Sequence, residues 1–137
     1  MVVTLARCCH PIPGDTIIGY LSTGRGLVIH RDNCRNLAEF RNQPDKWIEV
    51  QWDETTGREF QVEIRVDVQN QRGVLATVAA AIADQGSNIE QVNVQERDGS
   101  TSVLDFLFAV SDRKHLATIV RSIRRLPPVM RITRVRS

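Results

Sequence analysis

The clearest pattern in this sequence is a strict alternation of apolar and polar residues that begins at Phe60 and ends at Val68. Because successive side chains of a β-strand point to opposite faces, the alternation predicts a strand with one buried face and one face in water. Apolar residues also stand at every second position over residues 104–110, and shorter alternating segments lie at 92–94 and 130–132. The second half of the chain is therefore predicted to contain four strands.

Two segments between these strands have apolar residues at helical spacing instead. The first predicted helix stops at Gly86, and the second is capped by Ser111 or Asp112 and ends before the prolines at 127–128. The order strand, helix, strand, strand, helix, strand predicts a ferredoxin-like βαββαβ domain of the α+β class. Its core would include the apolar helix positions Val74, Leu75, Val78, Ala79, Ile82, Leu116, Ile119, Val120 and Ile123.

The first part of the chain has short β-prone segments separated by many turn residues. Strands are predicted at 17–21 and 27–30, with a glycine-containing hairpin turn between them. A short helix is predicted from Asp32 or Asn33 to about Phe40. This part is therefore a small, β-rich module with few large apolar residues.

A further strand is predicted at 47–52, where Trp47 and Trp52 are expected to pack in the core or between modules. The polar residues 53–57 then read as a junction. We therefore expect two modules, a cysteine-containing module over residues 1–55 and the βαββαβ domain over residues 56–137.

Composition limits the class of protein. The chain has 137 residues, with 42% hydrophobic and 25% charged, which is ordinary for a globular protein. The net charge of +2 gives no case for nucleic-acid binding by the chain as a whole. No apolar segment approaches the ~20 residues that span a bilayer, and no signal peptide is visible, so we expect no membrane association. Three cysteines fit a secreted disulfide framework poorly, so we expect a cytoplasmic protein.

The candidate chemistry lies in the first module, where Cys8 and Cys9 are adjacent and His30 precedes Cys34 by four positions. Thiolate and imidazole are the usual ligands of a closed tetrahedral zinc site, and the HxxxC spacing can present two ligands from one turn. A module of about fifty residues usually needs a metal, a disulfide or a neighbouring domain for stability. These four residues therefore predict a structural zinc site.

Two other interpretations of the cysteines stay open. Reduced thiols can be buried as small apolar side chains, or the adjacent pair can sense redox conditions. His10 is an alternative metal ligand. A zinc hydrolase is a further alternative, but three thiolates and a histidine would leave no open coordination position.

Residues 66–89 resemble an ACT domain. Their sequence is VDVQNQRGVLATVAAAIADQGSNI, with Gly73, Leu75 and the pair Asn88-Ile89 at the positions typical of that domain. The resemblance implies the same βαββαβ fold as the periodicity predicts.

The upstream part extends this resemblance. It contains the patterns CCxPxPGDxIxG, from Cys8, and GxxIHRxxC, ending at Cys34. Together the two parts resemble the C-terminal region of RelA/SpoT-type enzymes, which make and hydrolyse (p)ppGpp, and most closely the SpoT-type bifunctional members. The chain starts almost within this motif, so we expect a piece of a longer protein.

The resemblance implies a non-catalytic regulatory region that allosterically biases synthesis against hydrolysis. Its implied partners are the catalytic domains of the parent chain, the ribosome or a regulatory protein in some members, and a second copy bound through the ACT domain. No P-loop, HD dyad or nucleophile–base pair is present in the sequence. The sheet face away from the helices carries Val103 and Leu107, which we expect to be exposed and available for pairing with a second copy.

The resemblance also implies an amino-acid effector site, with a branched-chain amino acid as ligand. Gly73 would let a ligand carboxylate approach backbone N–H groups at a helix N-terminus. In ACT domains this loop often meets residues of a partner subunit. The alternative is a structural turn in a domain that has lost its effector. The residues concerned are Asn70, Gln71, Arg72, Gly73, Val74, Asn88 and Ile89.

Arginines concentrate near the C-terminus, where they could contact ribosomal RNA or an acidic partner domain; the alternative is a solvated surface. RNA-recognition modules share the βαββαβ order, but Phe106 and Phe108 are in phase with the buried positions, so base stacking is not expected. His115 is expected at the surface. The arginines are Arg121, Arg124, Arg125, Arg131, Arg134 and Arg136.

Overall fold

The computed structural model describes residues 2–40, 43–53 and 58–135, and within them it contains two four-stranded sheets. The first sheet has the order β1-β3-β2-β4, with β1 parallel to β3 and the other neighbours antiparallel. The predicted hairpin is confirmed as β2 and β3, joined by a turn that contains Gly24 and Gly26 in left-handed conformations. The strands are β1 (Val3–Leu5), β2 (Ile17–Ser22), β3 (Gly26–Arg31) and β4 (Trp47–Ile48).

Two predictions for the first module need correction. The predicted helix is a 3₁₀ helix over Arg35–Phe40, and a second 3₁₀ helix covers Pro44–Lys46. The predicted strand at 47–52 is reduced to β4, because the chain leaves the sheet after Ile48. Trp52 instead donates an Nε1–H hydrogen bond to the Asp15 carbonyl (3.0 Å).

The second sheet confirms the predicted βαββαβ order. Its strands run in the order β6-β7-β5-β8, all antiparallel, as in a ferredoxin-like split unit. Both edges of the sheet, β6 and β8, are short relative to the central strands. The elements are β5 (Phe60–Gln69), α1 (Val74–Asp84), β6 (Ile89–Glu96), β7 (Thr101–Val110), α2 (Arg113–Arg124) and β8 (Val129–Arg134).

The core lies between this sheet and its two helices. The alternating apolar residues of β5 and β7 all face the helices, and Phe106 and Phe108 are fully buried there, as predicted. Burying one such side chain contributes about 1.5–3 kcal/mol. From the helices, the core takes Val78, Ile82, Leu116, Ile119 and Ile123, whereas Leu75, expected in the core, is 39% exposed.

The opposite face of the sheet differs from the prediction. Val103 is 2% exposed and Leu107 is half-buried, so they form no apolar patch. The reason is that β7 is a central strand, and the side chains of Asp67 and Gln95 stand directly opposite Val103 on its two neighbours. Among the described residues of this sheet, the large exposed apolar side chains are on its edge strands, at Val92 and Val94 in β6 and at Met130 in β8. Val92 and Val94 pair with Phe106 and Leu104, so they lie on the helix side of the sheet.

The helix ends follow the predicted caps. The Asp112 carboxylate accepts the His115 N–H (2.8 Å) and caps α2. His115 is half-buried and not a free surface residue, because its ring contacts both the Ser111 N–H (3.1 Å) and the Gln85 carbonyl (2.7 Å). This ring therefore ties the start of α2 to the end of α1.

The two modules are packed against each other. Ile12, from the first module, is fully buried within the same apolar cluster as the core of the second module. Trp52 packs edge-on against Phe60 (ring centroids 5.6 Å apart), whereas Trp47 contacts Tyr20 within the first module. The predicted boundary at 55/56 lies outside the described residues and stays a prediction.

Candidate metal centre

The first sheet brings the four predicted ligands together. β1 lies parallel to β3, and the Ala6 N–H donates to the Ile29 carbonyl (2.9 Å), so the turn that carries Cys8 and Cys9 lies beside the end of β3. His30 is in β3. A tight turn follows, in which the Cys34 N–H donates to the Arg31 carbonyl (3.0 Å), and this turn places Cys34 beside His30. The pairing of β1 with β3 and the turn after β3 therefore bring the four ligand residues together.

The distances within the group suit a tetrahedral ion. One ligand atom from each of Cys8, Cys9, His30 and Cys34 lies within 4.8 Å of all the others. Cys8 Sγ is 3.5 Å from Cys34 Sγ and 3.5 Å from His30 Nδ1, and Cys9 Sγ is 3.9 Å from the same nitrogen. Tetrahedral zinc with bonds of about 2.3 Å to sulfur and about 2.0 Å to nitrogen requires ligand separations of about 3.5–3.8 Å. The group therefore has nearly the size of a zinc site.

Burial controls the protonation of these groups. It raises the pKa of the Cys9 and Cys34 thiols and lowers the pKa of the His30 imidazole. Both thiols are therefore neutral at pH 7 without a cation, and His30 keeps a free ring lone pair. A bound divalent ion would displace the thiol protons, because the thiolate is the form that binds metal.

Three cysteine sulfurs and one histidine nitrogen are donors that suit Zn²⁺, and together they would fill all four positions of a tetrahedral ion. Such a site stabilises structure and has no position for a substrate or a water nucleophile. His10 is not in the group: it has a left-handed φ of 45°, and its carbonyl accepts a hydrogen bond from Arg134 (2.9 Å). A cavity of about 440 Å³ adjoins Cys8 and His30.

The structure does not bring the predicted amino-acid site together within one chain. Gly73 precedes α1 with a left-handed φ of 75°, and Asn70 accepts a hydrogen bond from the Ser102 hydroxyl. Asn88 and Ile89 follow the other end of α1. That helix has 11 residues, so the two groups are about 16 Å apart along its axis.

The predicted basic surface is only partly present. Arg121 and Arg125 are exposed, and Arg124 and Arg131 line a cavity of about 350 Å³ between α2 and β8. Arg134 is not part of this surface, because its side chain is 16% exposed and bound to Asp15. Arg136 lies outside the described residues.

Asp15 is the important residue that sequence reasoning missed. Its side chain is 6% exposed and makes a bidentate pair with Arg134, with both oxygen–nitrogen distances at 2.7 Å. The two residues are 119 positions apart, so no local pattern links them. The sequence gives one weak indication of this pair: an acidic residue lies in a loop with prolines and a glycine, and the last strand of the chain is basic.

Comparison with known proteins agrees with this architecture. Residues 1–53 match the RelA/SpoT RIS domain, and residues 56–134 match an ACT domain. The chain belongs to the RelA/SpoT family. Its match to SpoT lies in the regulatory C-terminal part of that protein, outside the catalytic domains.

Similarity extends over the whole chain. It is 44% identical over 137 residues to the bifunctional (p)ppGpp synthase/hydrolase SpoT of Escherichia coli. It is 33% identical over 137 residues to the bifunctional (p)ppGpp synthase/hydrolase RelA of Mycobacterium tuberculosis. All of this chain aligns in both cases, but it spans 20% and 19% of the two relatives, or about one fifth of their length.

A solved structure supports the fold of the second module. The solution structure of the ACT domain from a GTP pyrophosphokinase of Chlorobium tepidum aligns with 58% of this chain and 89% of its own length. The TM-score is 0.51 at 18% identity, which supports the fold alone. Among the described residues, no helix has the length and apolar character needed to cross a membrane.

Proposed function

We propose that this chain is a cytoplasmic regulatory region that biases the balance of (p)ppGpp synthesis and hydrolysis by catalytic domains elsewhere in a longer parent protein. The observation that carries the proposal is the 44% identity over the whole chain to a part of a bifunctional synthase/hydrolase. The burial of Ile12, from the RIS domain, in the apolar core of the ACT domain gives a physical basis, because a ligand or partner that moves one domain then changes the packing of the other.

To test this proposal, the rates of (p)ppGpp synthesis and hydrolysis are measured for the full-length parent with and without the segment that corresponds to residues 56–137. We expect the ratio of synthesis to hydrolysis to change at least fivefold on deletion, with both activities still detectable. Equal ratios in the two proteins would contradict it. The isolated 137-residue chain serves as a control and should have no turnover of either kind.

Structural zinc at Cys8, Cys9, His30 and Cys34 is the second part of the proposal, supported by the donor types and separations. Elemental analysis of protein purified without chelator tests it. We expect one Zn²⁺ per chain, and loss of that zinc in Cys34→Ser. The matched control is His10→Asn, a neighbouring histidine outside the group, which should keep the metal. A folded, metal-free wild-type protein would favour buried or redox-active thiols instead.

An amino-acid effector is a second candidate function. The separation of Gly73 from Asn88 by the length of α1 favours a site completed by a second copy, and the exposed edge strand β6 offers a surface for that copy. Calorimetry with valine, isoleucine and leucine tests this idea. We expect binding heat that Gly73→Ala abolishes. Gly99→Ala should keep that heat, and it is the matched control because both glycines have positive φ and open surroundings. No heat at millimolar ligand would contradict it.

Contact with the ribosome or with a regulatory protein is the remaining alternative. Arg121, Arg124, Arg125 and Arg131 would supply the charge, because all four are exposed. Binding of ribosomal RNA that weakens steeply with salt, and weakens further in Arg124→Gln, would support RNA contact. Salt-independent or undetectable binding would contradict it.

A further inference from the structure

The loop that follows the cysteine pair is the main contact between the candidate metal centre and the ACT domain. Cys9 is fully buried in the cluster of the first module, and Ile12, three residues later, is fully buried in the core of the second. The Pro13 carbonyl accepts the backbone N–H of Arg113, at the start of α2 (2.9 Å). Residues 9–15 therefore connect the two modules directly.

A buried ion pair closes the same contact. Both Asp15 oxygens accept hydrogen bonds from Arg134, near the end of β8, and Arg134 also donates to the His10 carbonyl (2.9 Å). The Asp15 carboxylate accepts the Ile12 N–H as well (2.9 Å), so the loop is folded around the arginine it binds. Arg134 thus donates hydrogen bonds to His10, next to Cys9, and to Asp15, at the end of the loop.

Arg31 makes a second connection, from the other ligand segment. It follows His30, and its backbone N–H donates to Cys9 Sγ (3.3 Å). Its guanidinium donates to the Cys9 carbonyl (3.4 Å) and to the Val135 carbonyl beyond β8 (3.2 Å). His10 and Arg31, which are adjacent to two of the four ligands, therefore bind the same C-terminal segment, at Arg134 and Val135.

We propose that metal binding at the cysteine–histidine group and docking of the ACT domain on the RIS domain are energetically coupled, with the Asp15–Arg134 pair and Arg31 as the connecting contacts. The inference rests on the proposed zinc site. An ion held by Cys9 and His30 fixes the two segments that bind β8, so docking loses less conformational freedom when the ion is bound. Coupling of this kind is reciprocal, so loss of docking must weaken metal binding by the same factor.

Zn²⁺ affinity of the full 137-residue chain, measured by competition with a chromophoric chelator, tests the coupling. Arg134→Gln removes the docking pair without touching a ligand, and we expect it to weaken Zn²⁺ binding about tenfold, within the usual range of coupling between sites. Arg65→Gln is the matched control. It removes another Arg–Asp pair, with Asp105 (2.9 Å), on the outer face of the second sheet, and should change the affinity less than twofold.

Two outcomes of this titration separate the claims. If wild-type protein binds no Zn²⁺, the metal site itself is wrong and the coupling falls with it. If wild-type and Arg134→Gln proteins bind Zn²⁺ equally tightly, the metal site stands and the coupling is overturned.

Hydrogen exchange of the wild-type chain tests the coupling without relying on a variant that folds. We expect Zn²⁺ to slow exchange of the amides in β8 severalfold, and to leave those of the distant edge strand β6 unchanged. Unchanged exchange of β8 in the Zn²⁺-loaded protein would overturn the coupling, whatever the behaviour of Arg134→Gln.

Discussion

At the scale of single residues, Asp15 has the most unusual environment. Its carboxylate is 6% exposed and pairs with Arg134 at 2.7 Å, while Arg31 and Arg113 stand at 3.9 and 3.7 Å. A buried carboxylate that is hydrogen-bonded on both oxygens is tolerated because its partners replace the lost water. Removing its charge leaves Arg134 buried and unpaired.

Asp15→Asn should therefore destabilise the chain by about 3–5 kcal/mol, the usual effect of breaking a buried ion pair. The free energy of unfolding in urea measures this effect. Asp105→Asn is the matched control, since it breaks a pair in which Arg65 is half exposed, and it should cost under about 1 kcal/mol. Similar losses in the two variants would show that Asp15 contributes no more than a surface charge.

The cysteines make metal affinity depend on pH. Burial raises the pKa of the Cys9 and Cys34 thiols, so both are protonated at neutral pH in the metal-free chain and must release their protons on binding. Burial lowers the pKa of His30, so that ring is already neutral and releases none. Affinity measured by chelator competition should therefore rise with pH, by at least about two decades per pH unit between pH 6.5 and 8.5, because each of these two thiols releases one proton. An affinity independent of pH would contradict thiolate ligation.

The four candidate ligands could be predicted from the sequence, whereas the Asp15–Arg134 pair could not. Cys8, Cys9, His30 and Cys34 are recognisable because their residue types and short spacings already suit a metal. The Asp15–Arg134 pair depends on where two modules meet, and this is set by packing across the whole chain. Charge and spacing along the sequence carry no information about that contact.

At the scale of elements, alternation predicted β5 and β7 well because each has one face against helices and one in water. The end of β4 was not predicted, since residues 49–52 alternate but the side chain of Trp52 is used between the modules. Val103 was misassigned for a related reason: a pattern identifies the outer face of a strand, but neighbouring strands decide how exposed that face is.

The loop over residues 9–15 behaves as an element of the second module's core, although it belongs to the first module. Ile12→Ala should cost about 2–5 kcal/mol because Ile12 is fully buried there. Thermal unfolding followed by circular dichroism measures the loss. Val3→Ala, at a site 57% exposed, should cost under about 0.5 kcal/mol. An Ile12→Ala protein as stable as Val3→Ala would contradict the shared core.

At the scale of the whole molecule, the candidate metal centre and the ACT domain meet at the loop over residues 9–15 and at Arg31. The division at 55/56 stays a prediction, but the apolar core and the Asp15–Arg134 ion pair both join residues from the two sides of it. Under the proposed function, a change in metal, thiol state or bound partner at one module would alter these shared contacts and so reach the other.

The most direct test of the regulatory claim is the ratio of (p)ppGpp synthesis to hydrolysis in the full-length parent that carries Arg134→Gln, compared with Arg65→Gln. We predict that Arg134→Gln, which loosens the contact between RIS and ACT domains, shifts the ratio at least fivefold, and that Arg65→Gln leaves it within twofold. An unchanged ratio in Arg134→Gln, with hydrogen exchange confirming that β8 is released, would contradict the account.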